Sequence, residues 1–262
     1  YSNLEDIKLE DFKIDLGEPV ELKSIIEQFG PNLDGREDDC PEIDNSPAIT
    51  KPGDIFMLGR HRLMCGDCTK ADDIARLMQG NKAEIMFTDP PYGIDIAPIC
   101  ADRKLTKLKN DNLRGNDFII FLNEFLSLAR NVVDGEAFVC CDWRNYPEVK
   151  AQMDVSGFPV SCLIVWNKET RAQNLNRFAF VHEFICYSGP MGPPTLDVNV
   201  WTIHREYSDK HLTPKPIELV LRAIKTTNGS IFDPFLGSGT TIIAAEQLNR
   251  TCYGMEIEPK YC

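Results

Sequence analysis

The sequence predicts an α/β protein whose sheet is doubly wound and Rossmann-like and carries one antiparallel hairpin. Short apolar runs of strand type alternate with segments in which apolar residues recur at helical spacing, as parallel βαβ units require. Two of the strand runs end in distinctive turns, Asp89 to Tyr92 and Asp233 to Thr241, and open α/β sheets bind their ligands at such strand ends. A chain of 262 residues with 43% hydrophobic content can bury one sizeable core.

The first predicted strand covers 83–88, where the residues are mostly apolar. A helix is predicted over 117–133 from its apolar periodicity, and Gly135 is predicted to close it. Strands over 160–166 and 181–187 are predicted to pair antiparallel, because the sequence between them is too short for a crossover helix. The remaining predicted elements are strands over 137–141, 230–232 and 252–257 and helices over 146–155, 216–226 and 240–249.

The negative charge of the chain is concentrated at its beginning. The formal net charge is −12, and residues 1–50 hold 14 acidic against 4 basic residues, which leaves the remainder nearly neutral. We interpret 1–50 as an acidic linker or the remnant of an upstream domain, and 51–262 as one folded unit that is cut short at its C-terminal end. No run of about 18 apolar residues is present, so we expect no membrane partner and a cytoplasmic location.

The cysteine pattern predicts reduced thiols and no metal site. Most of the 10 cysteines lie in apolar runs, where a free thiol behaves as a small hydrophobic group. The C-x-x-C formed by Cys65 and Cys68 has no second pair at the spacing of a zinc site.

The segment Asp233 to Thr241 is predicted to bind a cofactor, because it follows a strand and opens a helix. Gly237 and Gly239 would let a ligand approach the backbone, and the helix N-terminus offers N–H groups to an anion. Glu256, at the end of the next strand, is placed to accept hydrogen bonds from ribose hydroxyls. Ile242 stands where a dinucleotide fingerprint has its third glycine, and no Gly-Lys-Ser/Thr is present. The pattern therefore favours S-adenosylmethionine over NAD or ATP, with a plain glycine-rich turn as the alternative.

Asp89, Pro90, Pro91 and Tyr92 are the candidate catalytic residues. The two prolines hold the turn rigid after a buried strand. The Asp89 carboxylate and the Pro90 carbonyl can accept the two hydrogens of an exocyclic amine, whose lone pair is otherwise delocalised into its ring. Direct in-line transfer then needs chiefly positioning, and Tyr92 can stack on an extruded base. The alternative is a proline-rich structural turn.

With these motifs in this order, the sequence resembles the DNA amino-methyltransferases that modify adenine N6 or cytosine N4. The resemblance is to the permuted, beta-type class, in which the catalytic tetrapeptide precedes the cofactor glycines. It covers roughly 51–262 and implies an S-adenosylmethionine-dependent methyltransferase domain that acts on double-stranded DNA; it also allows a homodimer. The run Leu58 to Cys68 is similar to that of phage and bacterial methylases with an N-terminal ParB-like domain, which would lie upstream of Tyr1.

The resemblance also implies the cofactor contacts. Asp67, with Cys68 beside it, would approach the adenosyl part, and Lys215 would lie near the methionine carboxylate. His182 and Glu183 match a pair found in the family, which we interpret as structural. The residues that the resemblance and the loop pattern place at the cofactor are Asp67, Cys68, Lys215, Asp233, Phe235, Gly237, Ser238, Gly239, Thr240, Thr241 and Glu256.

The resemblance implies adenine as the target, because an aspartate in the tetrapeptide is typical of adenine-N6 enzymes. A serine there is typical of cytosine-N4 enzymes, and cytosine N4 stays open as the alternative. Cytosine-C5 chemistry is disfavoured because the sequence contains no Pro-Cys dipeptide. Two further alternatives are a non-catalytic subunit that binds cofactor and DNA, and a methyltransferase of RNA or protein amides.

DNA contacts are predicted in the basic stretch that follows the tetrapeptide. Its candidate residues are Arg103, Lys104, Lys107, Lys109 and Arg114, with a solvated charged loop as the alternative reading. Only 23 residues separate Tyr187 from His211, where this class inserts its target-recognition region. We therefore do not expect this chain alone to read its DNA target sequence.

Overall fold

The computed structural model describes residues 48–93, 112–169, 178–190, 197–204 and 215–262. In these ranges the chain forms one mixed sheet of nine strands in the order β1-β2-β9-β8-β3-β4-β6-β5-β7. The strands are β1 Ile55–Leu58, β2 His61–Cys65, β3 Ala83–Thr88, β4 Val133–Cys141, β5 Cys162–Asn167, β6 His182–Ser188, β7 Val200–Thr202, β8 Ile231–Asp233 and β9 Cys252–Glu256. The five central strands from β2 to β4 are parallel to one another, whereas β6 runs antiparallel to both β4 and β5. The predicted fold class and its antiparallel hairpin are confirmed.

Helices cover both faces of this sheet. They are α1 Ala71–Met78, α2 Asn116–Arg130, α3 Tyr146–Val155, α4 Ile217–Ile224 and α5 Thr240–Gln247. Successive residues of a strand point to opposite faces, so Met86 packs in the cluster of α1, α2 and α3, whereas Ile85 and Phe87 pack in the cluster of α4 and α5. All three side chains are buried, as the near-continuous apolar run of a doubly covered strand requires.

The strand order reverses between β8 and β3. From β8 the chain passes through α5 to β9 on one side, and from β3 it passes through α2 to β4 on the other. A crevice opens outside the carboxyl ends of two strands at such a switch point, and it is the usual ligand site of an open α/β sheet. Both predicted motifs follow these two strands, so the topology brings them together.

The predicted helix end at Gly135 was wrong, and so was the start of the strand predicted over 137–141, which begins at Val133. Gly135 does not close a helix over 117–133: α2 ends at Arg130, and Gly135 lies inside β4. A Cβ at Gly135 would stand 2.1 Å from the Glu84 carbonyl oxygen. The glycine therefore allows β4 to approach β3 closely, where the pairing register shifts between Ala83 and Ile85.

Four elements were missed: β1, β2, α1 and β7. The strands β1 and β2 form a hairpin whose turn is Gly59-Arg60, with Gly59 at a φ of 60°. A two-residue turn with glycine between apolar runs is a hairpin signal that the sequence carried. Within the described ranges, no helix combines the length and apolar character that a bilayer crossing would need.

Candidate active site and cofactor loop

The Asp89 carboxylate lies just past the end of β3, and each of its oxygens has a partner. The Tyr92 hydroxyl donates to Oδ1 at 2.6 Å, and the Lys215 ammonium donates to Oδ2 at 2.5 Å. Asp89 nevertheless keeps 28% of its side chain exposed, whereas Lys215 keeps 10%. The candidate catalytic carboxylate is thus reachable from solvent and is held by one phenol and one cation.

Lys215 was predicted near a cofactor carboxylate, and in the structure its ammonium lies against the candidate catalytic turn, Asp89 to Tyr92. Its pKa is the outcome of opposing effects: burial lowers it, but the Asp89 and Glu183 carboxylates raise it, and the net direction is upward. Lys215 also stands 5.5 Å from the centre of the Tyr92 ring and 5.9 Å from that of Trp166, within cation–π range. A permanently charged ammonium is therefore built into the site.

Glu183 is the site residue that the sequence interpretation missed. Its Oε2 lies 3.3 Å from both the Tyr92 hydroxyl and the Lys215 ammonium, and its Oε1 lies 2.9 Å from the Lys168 ammonium. His182, the other member of the pair, packs beside Phe184 with ring centres 5.2 Å apart. Alternation along β6 accounts for this split, because neighbouring residues of a strand point to opposite faces. Two features of the sequence could have indicated Glu183: the alternation along β6, and Lys168, the basic residue that follows β5.

The backbone of the catalytic turn is fixed from several sides. The Asn145 side-chain amide donates to the Tyr92 carbonyl. Gly93 has a φ of 66°, and a Cβ there would stand 2.3 Å from the Leu113 carbonyl oxygen. Burial and the nearby Asp89 carboxylate raise the pKa of the Tyr92 phenol well above its usual value, so it remains a donor at neutral pH. The turn therefore holds its acceptors, the Asp89 carboxylate and the Pro90 carbonyl, in a defined arrangement.

Asp233 ties the cofactor loop to the catalytic strand. Its side chain is 3% exposed and accepts hydrogen bonds from the hydroxyls of Thr88 at 3.2 Å and Thr241 at 2.6 Å and from the Phe235 amide at 3.1 Å. Burial raises its pKa to about 7, although the three hydrogen bonds oppose the shift. Asp233 and Thr241, both predicted to contact the cofactor, thus use these groups to fasten β8, α5 and β3 together.

The glycine loop is open on its outer side. Gly237 and Gly239 have φ values of 54° and 86°, and a Cβ at either would meet nothing within 4 Å. Gly239 caps α5 without a side-chain hydrogen bond, and Ser238 and Thr240 stand beside it with their hydroxyl oxygens 3.3 Å apart. The first N–H groups of α5 therefore lack a side-chain cap among the described residues and can serve a ligand.

Phe235 packs inward from the loop instead of standing free. Its ring meets the rings of Phe125 and Phe121 edge to face, at centre distances of 5.0 Å and 5.8 Å. This contact seats the loop on α2.

Glu256 and Asp67 follow neighbouring strands at the same edge of the sheet. Glu256 accepts hydrogen bonds from the Gly237 amide at 2.9 Å and the Glu258 amide at 2.8 Å, and burial raises its pKa. Asp67 accepts from the Thr69 hydroxyl at 2.7 Å. A carboxylate has about four acceptor positions, so both acids keep capacity for the hydroxyls of a ligand.

Cys68 is buried beside Asp67, and burial, reinforced by that carboxylate, raises its thiol pKa well above the ordinary value. A neutral buried thiol packs as part of the wall. An open glycine backbone, an uncapped helix start and two carboxylates together fit a nucleoside that carries an anionic group.

Of the predicted DNA contacts, Arg114 lies within the described residues and is exposed. It lines a cavity of about 340 Å³ together with Tyr92, Phe118, Arg144 and Glu148. Arg103, Lys104, Lys107 and Lys109 lie outside the described residues.

Comparison with known proteins assigns the family. The family described as DNA methylase, which comprises N6 and N4 methyltransferases, matches residues 83–190 and 192–262. The chain belongs to this DNA methylase family. It is 27% identical over 225 residues to the type II methyltransferase M2.LlaDCHI of Lactococcus lactis subsp. cremoris, covering 72% of this chain and 84% of that one.

Two solved structures illustrate the similarity of fold. The M1.HpyAVI–SAM complex has a TM-score of 0.57 and 23% identity, with 76% of this chain and 94% of that chain covered. The cytosine-N4-specific PvuII DNA methyltransferase has a TM-score of 0.61 and 16% identity, with 82% and 87% covered.

Proposed function

We propose that this chain transfers a methyl group from S-adenosylmethionine to the exocyclic N6 of an adenine flipped out of double-stranded DNA. The observation that carries the proposal is the position of the Asp89 carboxylate. It stands partly exposed at the end of β3, beside the open glycine loop that follows β8. An amine acceptor and a nucleoside site would therefore share one crevice.

The residues around the glycine loop suit S-adenosylmethionine. Glu256 and Asp67 would accept hydrogen bonds from its ribose and adenosyl part, and the start of α5 would face its carboxylate. When bound, the cofactor supplies a sulfonium-linked methyl group, to which the amine nitrogen bonds while the carbon–sulfur bond breaks and its electron pair stays on sulfur.

Asp89 and the Pro90 carbonyl would bind the two hydrogens of the adenine amine and direct its lone pair toward the methyl group. The nitrogen becomes positively charged as it bonds to carbon, and the Asp89 carboxylate stabilises that charge and can receive the released proton. Tyr92 would stack on the base and offset part of the few kcal/mol that unstacking costs. No covalent bond to the enzyme is needed.

The arrangement of the whole protein is part of the same proposal. Residues 51–262 would form the catalytic domain of a permuted, beta-type enzyme, with 1–50 as an acidic linker to an upstream ParB-like domain or as a remnant of that domain. Arg114 and the basic residues 103, 104, 107 and 109 would contact DNA phosphates beside the flipped base. Pairing into a homodimer would fit a type II methyltransferase.

One assay tests this proposal against its alternatives. The chain is incubated with methyl-labelled S-adenosylmethionine and duplex DNA, RNA or protein, and the products are digested and identified by mass spectrometry. We expect N6-methyladenine from duplex DNA, abolished by Asp89→Ala and kept by Asp134→Ala, whose exposed carboxylate pairs with Lys82 at the opposite edge of the sheet. Detection of N4-methylcytosine instead would change the proposed target to cytosine. Incorporation of label by the wild type no higher than by Asp89→Ala would contradict the proposed methyl transfer.

A further inference from the structure

We infer that Glu183 is a positioning residue that takes over the Lys215 ammonium when Asp89 engages the amine of the base. The inference rests on the proposed function, because it concerns how Asp89 is made available to that amine. Glu183 would act through Lys215 and would not touch the base itself.

In the structure, two donors mask the Asp89 carboxylate. Lys215 donates to its Oδ2 at 2.5 Å and Tyr92 to its Oδ1 at 2.6 Å. A carboxylate whose charge is compensated at contact distance by an ammonium is a weaker acceptor for a neutral amine, and it stabilises the developing positive charge less well. Full activity therefore requires Lys215 to loosen its hold on Asp89.

An acceptor for the displaced Lys215 ammonium already lies beside it. Lys215 is 10% exposed, so moving it without a partner would leave a buried charge uncompensated. The Glu183 Oε2 stands 3.3 Å from the ammonium nitrogen. A shift of about 0.5 Å would bring the two atoms to the distance of a normal charge-assisted hydrogen bond.

A second lysine would hold Glu183 in place while Lys215 moves. Its other oxygen binds the Lys168 ammonium at 2.9 Å, and Lys168 lies 5.8 Å from the centre of the Trp166 ring. Trp166 is Glu183's register partner across the β5–β6 pair and is itself 1% exposed. Within the described residues, these two carboxylates and two ammoniums form one network, in which Lys215, just before α4, contacts both acids.

The test compares wild type, Glu183→Gln, Glu183→Asp, Lys215→Met and the double variant Glu183→Gln with Lys215→Met. Without the Glu183 charge, Lys215 remains on Asp89, and we expect Glu183→Gln to lower kcat roughly 10- to 100-fold, the size of one charge-assisted hydrogen bond. The Kd for S-adenosylhomocysteine, measured by calorimetry, should change less than about threefold. Glu183→Asp keeps the charge and should restore part of kcat; it also serves if Glu183→Gln does not fold.

The matched control is Glu136→Gln, which removes a buried carboxylate of β4 that binds Tyr187 and Thr226 away from the site. It should leave kcat near the wild-type value. Because Glu183 acts through Lys215, adding Glu183→Gln to Lys215→Met should change kcat less than about threefold. Equal losses in both backgrounds, or wild-type kcat in both Glu183 single variants, would overturn the inference.

A readout without turnover separates this inference from the proposed function. The ammonium signal of Lys215, assigned with Lys215→Met in ¹⁵N-lysine-labelled protein, should shift when duplex DNA and S-adenosylhomocysteine are added together. In Glu183→Gln the shift should be lost. An unmoved signal with DNA bound contradicts the exchange, whereas absence of methylated product with an intact shift contradicts the proposed reaction alone.

Discussion

The Thr88 hydroxyl donates a hydrogen bond to Asp233 Oδ1 at 3.2 Å, across 145 residues of sequence. Thr88 is the last residue of the strand that leads into the catalytic turn, and Asp233 is the first residue of the cofactor loop's segment and the last of β8. The relative position of the two motifs is therefore set by one buried carboxylate in addition to the strand pairing.

Stability should depend on pH through Asp233. Its pKa is raised to about 7 from the usual 3.8, so the folded state holds the proton more tightly than the unfolded state does. This contribution is complete below about pH 4 and is lost as pH rises through 7. We expect the free energy of unfolding to fall by roughly 3 kcal/mol between pH 5 and 8, measured by urea unfolding. Asp233→Asn should flatten this slope; an equal slope in both proteins would assign it to other groups.

Gly239→Ala and Gly80→Ala form a matched pair. The two glycines have φ values of 86° and 81°, and a Cβ at either would meet nothing within 4 Å. Each substitution should therefore cost about 1 kcal/mol of stability from backbone strain. Only Gly239→Ala should weaken S-adenosylhomocysteine binding in calorimetry, by about tenfold or more, because a methyl group there intrudes on the ligand. Equal affinity of both variants for S-adenosylhomocysteine would contradict the placement of the cofactor at this loop.

Tyr92→Phe and Tyr92→Ala separate the two roles of this residue. The phenol holds Asp89 Oδ1 at 2.6 Å, and the ring faces Lys215. Phe keeps the stacking surface, so its KM for DNA should stay near wild type while kcat falls from the loss of Asp89 orientation. Ala should also raise KM for DNA, by roughly 5- to 150-fold, because stacking on a base contributes about 1–3 kcal/mol. Identical kinetics of the two variants would exclude base stacking by Tyr92.

Arg114→Gln tests the DNA-binding side of the site. If its guanidinium neutralises one phosphate, the slope of log K against log salt concentration should become shallower by about 1, measured by fluorescence anisotropy on a short duplex. Lys82→Gln is the control, because Lys82 pairs with Asp134 at the opposite edge of the sheet. An unchanged slope for Arg114→Gln would place this residue outside the DNA interface.

The parts of the fold that were predicted correctly depend on local patterns. The strand that ends at Thr88 and the helix that begins at Thr240 are marked by apolar runs and glycine, which act within a few residues. The predicted helix end near Gly135 was wrong because that glycine is required by its close approach to the Glu84 carbonyl on the neighbouring strand. Such a contact across two strands leaves no signal in the local sequence.

The same distinction holds for the site. Asp89, Tyr92 and the loop glycines stand in contiguous motifs, so their grouping could be inferred. The network that joins Glu183, Lys168 and Lys215 to Asp89 assembles residues from four separate segments. Only the register of β5 with β6 and the position of the chain before α4 bring these charges together.

The adjacency of β3 and β8 has a consequence for how the molecule folds. Ile85 pairs with Ile231, so closing the centre of the sheet joins segments about 150 residues apart in the chain, and contacts of such long range slow folding. During synthesis, which proceeds from the N-terminus, the strand leading to Asp89 must wait for β8 with one edge unpaired. Exposed strand edges promote aggregation, so we expect the yield of native molecules to depend on how quickly the β3–β8 pairing is made.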